Sequence, residues 1–310
     1  MDTLPQRKVR EMIIRRFNGP ETLEEKDFLA AEDPLEIRVE GRSVAVVMRT
    51  PGDDRELAAG FLVTEGLVRK AGDLKAIRHQ AHCLSLAPKN EQRTGRPSKV
   101  GSAKLTILNR KEPIPTDGNV INVQLRNPKS VDFKKLTRHV FTSSSCGICS
   151  KASITAVQQQ FLQLKDASQV EAQVIMGLPQ ALAQAQETFK QTGGLHACAL
   201  FDLTGTLLVV REDVGRHNAL DKVIGWALLT DRLPLQGHIL LLSGRTSFEM
   251  MQKALAGGIA IIAAVSAPSS LAVEFARDSG QTLVGFLRGN KMNVYAGAGR
   301  ILADGSELDK

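Results

Sequence analysis

Two of the chain's four cysteines lie close together, in the stretch Ser143-Ser-Ser-Cys-Gly-Ile-Cys-Ser150. Serine is a good helix cap, so this run of serines predicts that Cys146 and Cys149 lie in the first turn of a helix. There, unpaired backbone N–H groups and the positive end of the helix dipole favour an anion, which lowers the pKa of a thiol. The pair is therefore a candidate for chemistry at sulfur.

Several kinds of chemistry fit this thiol pair. A zinc site needs two more ligands, which His196 and Cys198 can supply. A thioredoxin-like redox pair needs a βαβ context before the motif, but here a polar, basic link over residues 128–140 precedes it. A sulfur or acyl carrier needs one exposed, activated thiolate and no further motif. The spacing alone leaves these readings open, together with that of plain structural cysteines.

The composition limits the partners and the compartment. The 310 residues carry a net charge of +7, which favours anionic partners such as nucleic acid, a phosphate-bearing cofactor or an acidic protein. The low aromatic content of 4% argues against a base-stacking nucleic-acid surface. Four cysteines are too few for a disulfide scaffold, and the sequence shows neither a signal-peptide core nor a membrane span. We therefore predict a cytoplasmic protein that binds no nucleic acid and no membrane.

The elements that position the candidate groups fall into two parts. Alternating apolar residues over 36–49 predict a β-hairpin, and Asp53 or Asp54 can cap a following helix. Towards the C-terminus, continuous apolar strands alternate with helices, which is typical of an α/β layer with mostly parallel strands. The pattern predicts a smaller N-terminal α+β domain over 11–127 and an α/β C-terminal domain over 128–302.

Three polar loops follow buried strands of the C-terminal part, at residues 211–218, 243–247 and 288–291. Right-handed crossovers are expected to bring such loops to one edge of the sheet. The stretch 243–247, Ser-Gly-Arg-Thr-Ser, combines a glycine, three hydroxyls and an arginine with a following helix N-terminus, although it lacks the P-loop spacing. The stretch 211–218 is either a site or a solvated turn. Together the three loops favour a phosphate-rich ligand.

With these features in hand, the chain resembles the FdhD family of formate dehydrogenase accessory proteins over residues 34–302. The stretches that carry the resemblance are Met48-Arg-Thr-Pro-Gly52, Gly60-Phe-Leu-Val-Thr-Glu-Gly66, Ser145-Cys-Gly-Ile-Cys149, Gly193-Gly-Leu-His196, Arg211-Glu-Asp-Val-Gly-Arg-His-Asn-Ala-Leu-Asp-Lys222, Ser243-Gly-Arg-Thr-Ser-Phe-Glu-Met250 and Asn293-Val-Tyr295. The chain departs from the family pattern in residues 88–102, which look like an insertion, and at Ser150, where a glycine is expected.

The resemblance implies a sulfurtransferase that acts as a sulfur carrier. It implies that sulfur comes from a cysteine desulfurase as a cysteine persulfide and passes to the molybdenum bis(molybdopterin guanine dinucleotide) cofactor, which formate dehydrogenase needs in sulfurated form. The first thiol of the family motif matches Cys146, the persulfide site, and Cys149 matches the second, assisting thiol.

The resemblance also implies where the cofactor binds and how the chain folds and assembles. The family's cofactor-contact stretch matches Phe286, Leu287, Arg288, Gly289, Asn290 and Lys291. A homodimer is implied, as is a cytidine-deaminase-like C-terminal domain. The zinc site of true deaminases is not expected, because no His-x-Glu precedes the cysteine pair.

Overall fold

The computed structural model describes residues 8–80, 118–128 and 164–303. Cys83, Cys146 and Cys149 lie outside these ranges, as does the segment 88–102. Of the groups named for the zinc reading, the described ranges contain His196 and Cys198.

The chain begins with a long two-stranded antiparallel ribbon, formed by β1 (Val9–Asn18) and β2 (Glu21–Ala30). Cross-strand ion pairs line it, but large apolar side chains are also left in solvent: Ile13 is 74% exposed and Phe17 is 72% exposed. The sequence analysis did not predict this ribbon, which begins before the predicted start of the first domain at residue 11.

A four-stranded sheet follows, in the order β4-β3-β6-β5. Its strands are β3 (Asp33–Val39), β4 (Arg42–Arg49), β5 (Leu74–His79) and β6 (Val120–Leu125). The hairpin predicted over 36–49 is confirmed: β3 and β4 pair antiparallel around Glu40 and Gly41, both of which have positive φ.

Helix α1 (Asp54–Thr64) packs on this sheet and begins where a helix was predicted, but its cap differs from the prediction. Asp53 is the N-cap residue, yet it lies in the left-handed region with φ 57° and its side chain makes no capping bond. Instead, the Lys8 Nζ atom lies 3.2 Å from Asp53 Oδ2, and the Asp54 carboxylate accepts two bonds from the buried Arg49 guanidinium. Both carboxylates are thus held by cations rather than by the helix end.

The C-terminal part is built on a six-stranded sheet in the order β13-β12-β11-β10-β8-β9. Its strands are β8 (His196–Asp202), β9 (Leu207–Asp213), β10 (His238–Leu242), β11 (Ile261–Ala264), β12 (Thr282–Arg288) and β13 (Lys291–Ala296). A short parallel pair, β7 (Val170–Glu171) with β14 (Ile301–Leu302), lies apart from it.

The expectation of a mostly parallel sheet is right only for the centre. Strands β10, β11 and β12 are parallel, whereas β8, β9 and β13 each pair antiparallel with their neighbours. Short turns explain the difference, because Leu203–Thr206 and Gly289–Asn290 are too short to cross over to a parallel neighbour.

Helices cover both faces of the larger sheet. They are α2 (Ala172–Ala185), α3 (Glu187–Thr192), α4 (Arg216–Leu229), α5 (Phe248–Ala256) and α6 (Ser270–Ser279). Apolar residues of α2 meet one face, and those of α4, α5 and α6 meet the other. The short helix α3 packs against β2 at the base of the ribbon. None of the helices in the described ranges is both long and apolar enough to cross a bilayer.

The two parts of the chain meet where α1 crosses α4. A Cβ atom added to Gly60 would lie 1.8 Å from the backbone oxygen of Asp221, and one added to Gly225 would lie 1.8 Å from that of Glu56. Only glycine fits at such a crossing, because any side chain would overlap with backbone. The helices therefore touch backbone to backbone.

One hydrophobic core joins the two parts. It contains residues of the smaller sheet such as Leu35 and Ile121, residues of α1 such as Leu57, and residues of α4 such as Leu220. A mixed α/β fold is therefore established. The division at residues 127 and 128 and the cytidine-deaminase-like fold of the C-terminal part stay predictions.

Candidate functional site

One edge of the larger sheet gathers the polar loops. The carboxyl ends of β10, β11 and β12 meet there because these strands are parallel. Strand β9 also ends there: Asp213, its last residue, pairs with His196, the first residue of β8, and Cys198 pairs with Leu242 at the end of β10. The predicted convergence of the three loops on one edge is confirmed, and His196 joins them.

The loops after β10, β11 and β12 are tied to one another by hydrogen bonds to backbone oxygen atoms. The Thr246 N–H donates to Ala267 O, and the Ser269 N–H donates back to Thr246 O. The Phe286 N–H donates to Ser266 O, and the Arg288 Nε atom donates to Val265 O. Because of these hydrogen bonds, the three loops form one continuous polar surface at the edge of the sheet.

A fully buried ion pair between Lys222 and Asp213 anchors the loop after β9. Lys222 Nζ lies 2.8 Å from Asp213 Oδ2, and both side chains are 0% exposed. Asp213 also accepts bonds from the backbone N–H groups of Thr50 and Gly215 and from the Asn218 amide. Lys222 donates in addition to the backbone oxygen of Thr50. The loop that carries Arg216 is thus fixed to the turn after β4.

The amino ends of α4 and α5 converge at this edge. His217, in the first turn of α4, lies 2.8 Å through Nε2 from Glu249 Oε2 in the first turn of α5. The pair is at ion-pair distance, although it lacks the geometry of a hydrogen bond. Because the positive ends of both helices point at the same region, it favours a negative ligand.

The pKa of His196 is lowered by burial and by the positive charges of this edge. Burial, and then the neighbouring charges of Arg216 and His217 and that of Arg245, lower the pKa of His196, against a smaller opposing effect of Asp213. The imidazole is therefore neutral near pH 7, since even an unperturbed histidine is mostly neutral there.

The predicted cofactor-contact stretch lies at the far side of the same edge. It spans the end of β12, the turn and the first residue of β13. Phe286 is exposed and has a φ of 51°, an uncommon conformation for an aromatic residue that coincides with the irregularity in the β12–β13 pairing between Gly285 and Arg288. Arg288, Gly289, Asn290 and Lys291 are exposed as well, whereas Leu287 is fully buried and anchors the strand.

Of the other candidate residues from the sequence, Cys198 is placed in the core. Its side chain is 1% exposed and packs in the cluster that joins the two parts of the chain. Burial, and then the charges of Asp221 and Asp213, raise the pKa of this thiol far above its usual range. A thiol must lose its proton to bind zinc or to act as a nucleophile, so Cys198 is suited to neither role.

A separate cavity of about 440 Å³ lies at the amino end of α1 and is lined by Asp53, Asp54, Glu56 and other residues. Its carboxylates are paired with basic side chains, Glu56 with Arg211 among them. Because Arg55 and His79 also line it, the cavity carries groups of both signs, whereas the sheet edge presents Arg245, Arg288 and Lys291 and is the better candidate site for a phosphate-bearing ligand.

The sequence analysis missed two features of the site. It named residues 211–218 as a polar loop, and Arg211–Lys222 as a stretch that carries the family resemblance, but gave no sign that Lys222 and Asp213 are buried together. It also did not pair His217 with Glu249, because the two lie on different helices. The local signal for the first feature is the four-residue spacing of Asn218 and Lys222, which places both side chains on one face of α4, where both contact Asp213.

Fold and site define a mixed α/β protein whose larger sheet presents a basic, phosphate-compatible edge. A family model described as "FdhD/NarQ family" matches residues 30–302, and the chain belongs to this family. A protein of Mycolicibacterium paratuberculosis named "Sulfur carrier protein FdhD" is 46% identical over 93% of this chain and 97% of its own length. A protein of the same name from Saccharolobus solfataricus is 36% identical over 95% of this chain and 98% of its own.

A solved structure agrees with the fold. The crystal structure of a candidate formate dehydrogenase accessory protein from Desulfotalea psychrophila is similar with a TM-score of 0.67 and 24% identity. The match covers 96% of this chain and 100% of that one. At this identity the similarity supports the fold alone.

Proposed function

We propose that this protein is a sulfur carrier, a sulfurtransferase that takes sulfur from a cysteine desulfurase and delivers it to the molybdenum bis(molybdopterin guanine dinucleotide) cofactor of formate dehydrogenase. The observation that carries the proposal is the similarity, over almost the whole chain, to relatives named as sulfur carrier proteins. The thiol pair and the basic sheet edge supply the two chemical functions that such a carrier requires.

The sulfur atom of Cys146 is the proposed carrier of the transferred sulfur. Its thiolate attacks the terminal sulfur of a persulfide on the desulfurase, the sulfur–sulfur bond of that persulfide breaks, and the desulfurase cysteine leaves as a thiolate. On delivery the terminal sulfur leaves Cys146, which keeps the bonding electron pair, and the accepting metal centre supplies the two electrons that turn the sulfur into sulfide. Cys149 is the proposed assisting thiol.

The basic edge is the proposed docking surface for the dinucleotide. Arg288 and Lys291 are exposed beside Phe286, and aromatic side chains and basic groups are what a nucleobase and its phosphates bind. Hydrogen bonds from the Phe286 N–H and the Arg288 side chain to backbone oxygen atoms hold this stretch against the neighbouring loop, so the contact groups are positioned before the substrate arrives.

The two rival readings of the thiol pair gain little from the described residues. The zinc reading needs Cys198 as a ligand, yet that thiol is buried in the core and has a raised pKa. The redox reading needs only Cys146 and Cys149, so it stays a separate outcome of the experiment below.

A homodimer and a cytoplasmic location are part of the proposal. An isolated two-stranded ribbon is marginally stable in water, and β1 and β2 expose large apolar side chains such as Ile13 and Phe17. A second copy of the chain is the proposed partner that covers them, because a symmetric contact between two ribbons would withdraw both sets of apolar side chains from water.

Mass spectrometry of the intact protein after incubation with a cysteine desulfurase and cysteine tests the carrier role. The wild type is expected to gain one sulfur atom at Cys146, and Cys146→Ser is expected to gain none. Cys198→Ala is the matched control, because it removes a thiol that is buried and is expected to leave loading unchanged.

Sulfur found on Cys83 or Cys198 in the wild type would contradict the assignment. A reversible Cys146–Cys149 disulfide with insulin-reducing activity and no persulfide would favour the redox reading. For the cofactor contact, Arg288→Ala is expected to weaken binding of guanosine diphosphate in calorimetry, and unchanged affinity would remove Arg288 from the site.

A further inference from the structure

The larger sheet's edge contains a group of buried polar atoms that make no hydrogen bond, although one of them, His217 Nε2, lies at ion-pair distance from Glu249. Four buried side-chain nitrogen or oxygen atoms in the described ranges lack a hydrogen bond, and all four lie at the amino ends of α4 and α5. They are Arg216 Nε, His217 Nε2, Thr246 Oγ1 and Ser247 Oγ. Buried polar groups in folded proteins are almost always paired, so such a cluster calls for a ligand.

We propose that Arg216, Thr246 and Ser247 form a binding site for one phosphoryl group. The chemistry of the three groups points to an anion, because a guanidinium can only donate hydrogen bonds and a hydroxyl can always donate one. Thr246 is 1% exposed, so its hydroxyl is already out of water and loses nothing further when a ligand oxygen accepts from it.

Helix α5, which follows Ser247, has no side-chain cap at its amino end. Ser247 is the N-cap residue of α5 but makes no side-chain capping bond. Ser269 holds the same position at α6, in the neighbouring loop, and its hydroxyl accepts from the Ala272 N–H. The Ser247 hydroxyl is therefore available to a ligand, while the equivalent hydroxyl at α6 is committed to structure.

The charges around the site favour an oxyanion. Arg245 is exposed beside Thr246, and Arg216 begins α4, so two guanidinium groups and two helix ends act on the same region. The nearby acidic groups are already engaged, since Glu249 lies against His217 and Asp213 against Lys222. The region keeps a net positive field, to which phosphate is well suited.

This site lies apart from the predicted cofactor-contact stretch. Strand β11 separates β10, which leads into Thr246, from β12, which leads into Arg288, so the two loops lie two strand spacings apart, about 10 Å. A nucleoside diphosphate that holds its base near Phe286 would extend its phosphates along the edge towards Thr246. This identification of the phosphoryl group as part of the dinucleotide rests on the proposed function; the phosphoryl site itself does not.

Calorimetry with inorganic pyrophosphate, guanosine diphosphate and guanosine tests the site. Thr246→Val and Ser247→Ala are each expected to weaken binding of pyrophosphate and of guanosine diphosphate by about 10-fold or more, because each loses a hydrogen bond to a charged group. Binding of guanosine is expected to stay unchanged. Ser269→Ala is the matched control and is expected to leave all three affinities unchanged, because its hydroxyl caps α6.

A second measurement separates a ligand site from a structural role. Thr246→Val removes a buried hydroxyl that has no partner, so the ligand-free variant is expected to be as stable as the wild type or more so. Pyrophosphate should raise the melting temperature of the wild type and raise that of the variant less.

The outcomes distinguish this site from the function proposed above. Pyrophosphate affinity that is equal in the wild type, Thr246→Val and Ser247→Ala overturns the site. A loss of pyrophosphate binding in the variants supports the site. If, in addition, the wild type binds guanosine diphosphate no more tightly than pyrophosphate, that result counts against a guanine dinucleotide as the substrate.

Discussion

Replacing Lys222 by methionine removes one half of a fully buried ion pair at the base of the candidate site. The Lys222 ammonium lies 2.8 Å from Asp213 and also donates to the backbone oxygen of Thr50. Methionine fills a similar volume without the charge, so the packing around residue 222 is largely kept. The perturbation is therefore electrostatic: a buried carboxylate keeps its backbone and amide donors but loses its counter-charge.

The expected loss in the free energy of unfolding is about 3–5 kcal/mol, the cost of leaving one member of a buried pair uncompensated. An exposed pair gives the matched comparison. Lys26 and Glu11, on the ribbon, are also 2.8 Å apart, but their side chains are 70% and 48% exposed. The same change there, Lys26→Met, is expected to cost no more than about 1 kcal/mol, because water screens the pair.

Urea unfolding of the two variants and the wild type, followed by circular dichroism, measures both losses on one scale. The slope is fitted separately for each protein, because a changed slope would indicate a change in compactness, whereas a shift of the midpoint at an equal slope is a change in stability. Equal losses for Lys222→Met and Lys26→Met, or a loss below about 1 kcal/mol for Lys222→Met, would refute the reasoning that burial sets the cost.

Three further predictions follow from features of the fold. Gly60→Ala is expected to cost about 1–3 kcal/mol or more in urea unfolding, since its methyl group would meet backbone of α4, whereas Gly177→Ala, on α2 with open space around it, is expected to stabilise slightly. His196 has a lowered pKa in the folded protein, so the unfolded chain binds more protons and stability should fall as the pH drops below about 6.5. His196→Gln should make the melting temperature depend less on pH in this range. An unchanged slope of melting temperature against pH would contradict the lowered pKa. Replacing both Ile13 and Phe17 by serine is expected to convert a dimer into a monomer in light scattering without a loss of fold, and an unaltered dimer would place the interface elsewhere.

The sequence predicts those elements that have a simple hydrophobic period. The hairpin over 36–49 alternates, and the strands before residues 243 and 266 are continuous apolar runs that end in polar loops. The convergence of the polar loops follows from the parallel pairing of those strands, so the basic edge was predictable in outline.

Other features depend on contacts that no local pattern encodes. The ribbon mixes charged and apolar residues on both of its faces, as around Ile13, so it has no clean alternation. The pairing of Thr50 with Asp213 and Lys222 joins positions far apart in the chain, and so does the ion pair between Lys8 and Asp53 that replaces the expected helix cap. The glycine at position 60 gave no hint in the sequence that a second helix passes against it.

The shared core of the two parts limits how the chain can be divided in practice. An expression fragment that starts after residue 128 would strip α4 of its partner α1 and open the groove around Gly225 to solvent. The apolar surface so uncovered favours association of the fragments with one another. Crystallisation or labelling work on the basic edge therefore calls for the intact polypeptide, or for two co-expressed pieces that can re-form the helix crossing.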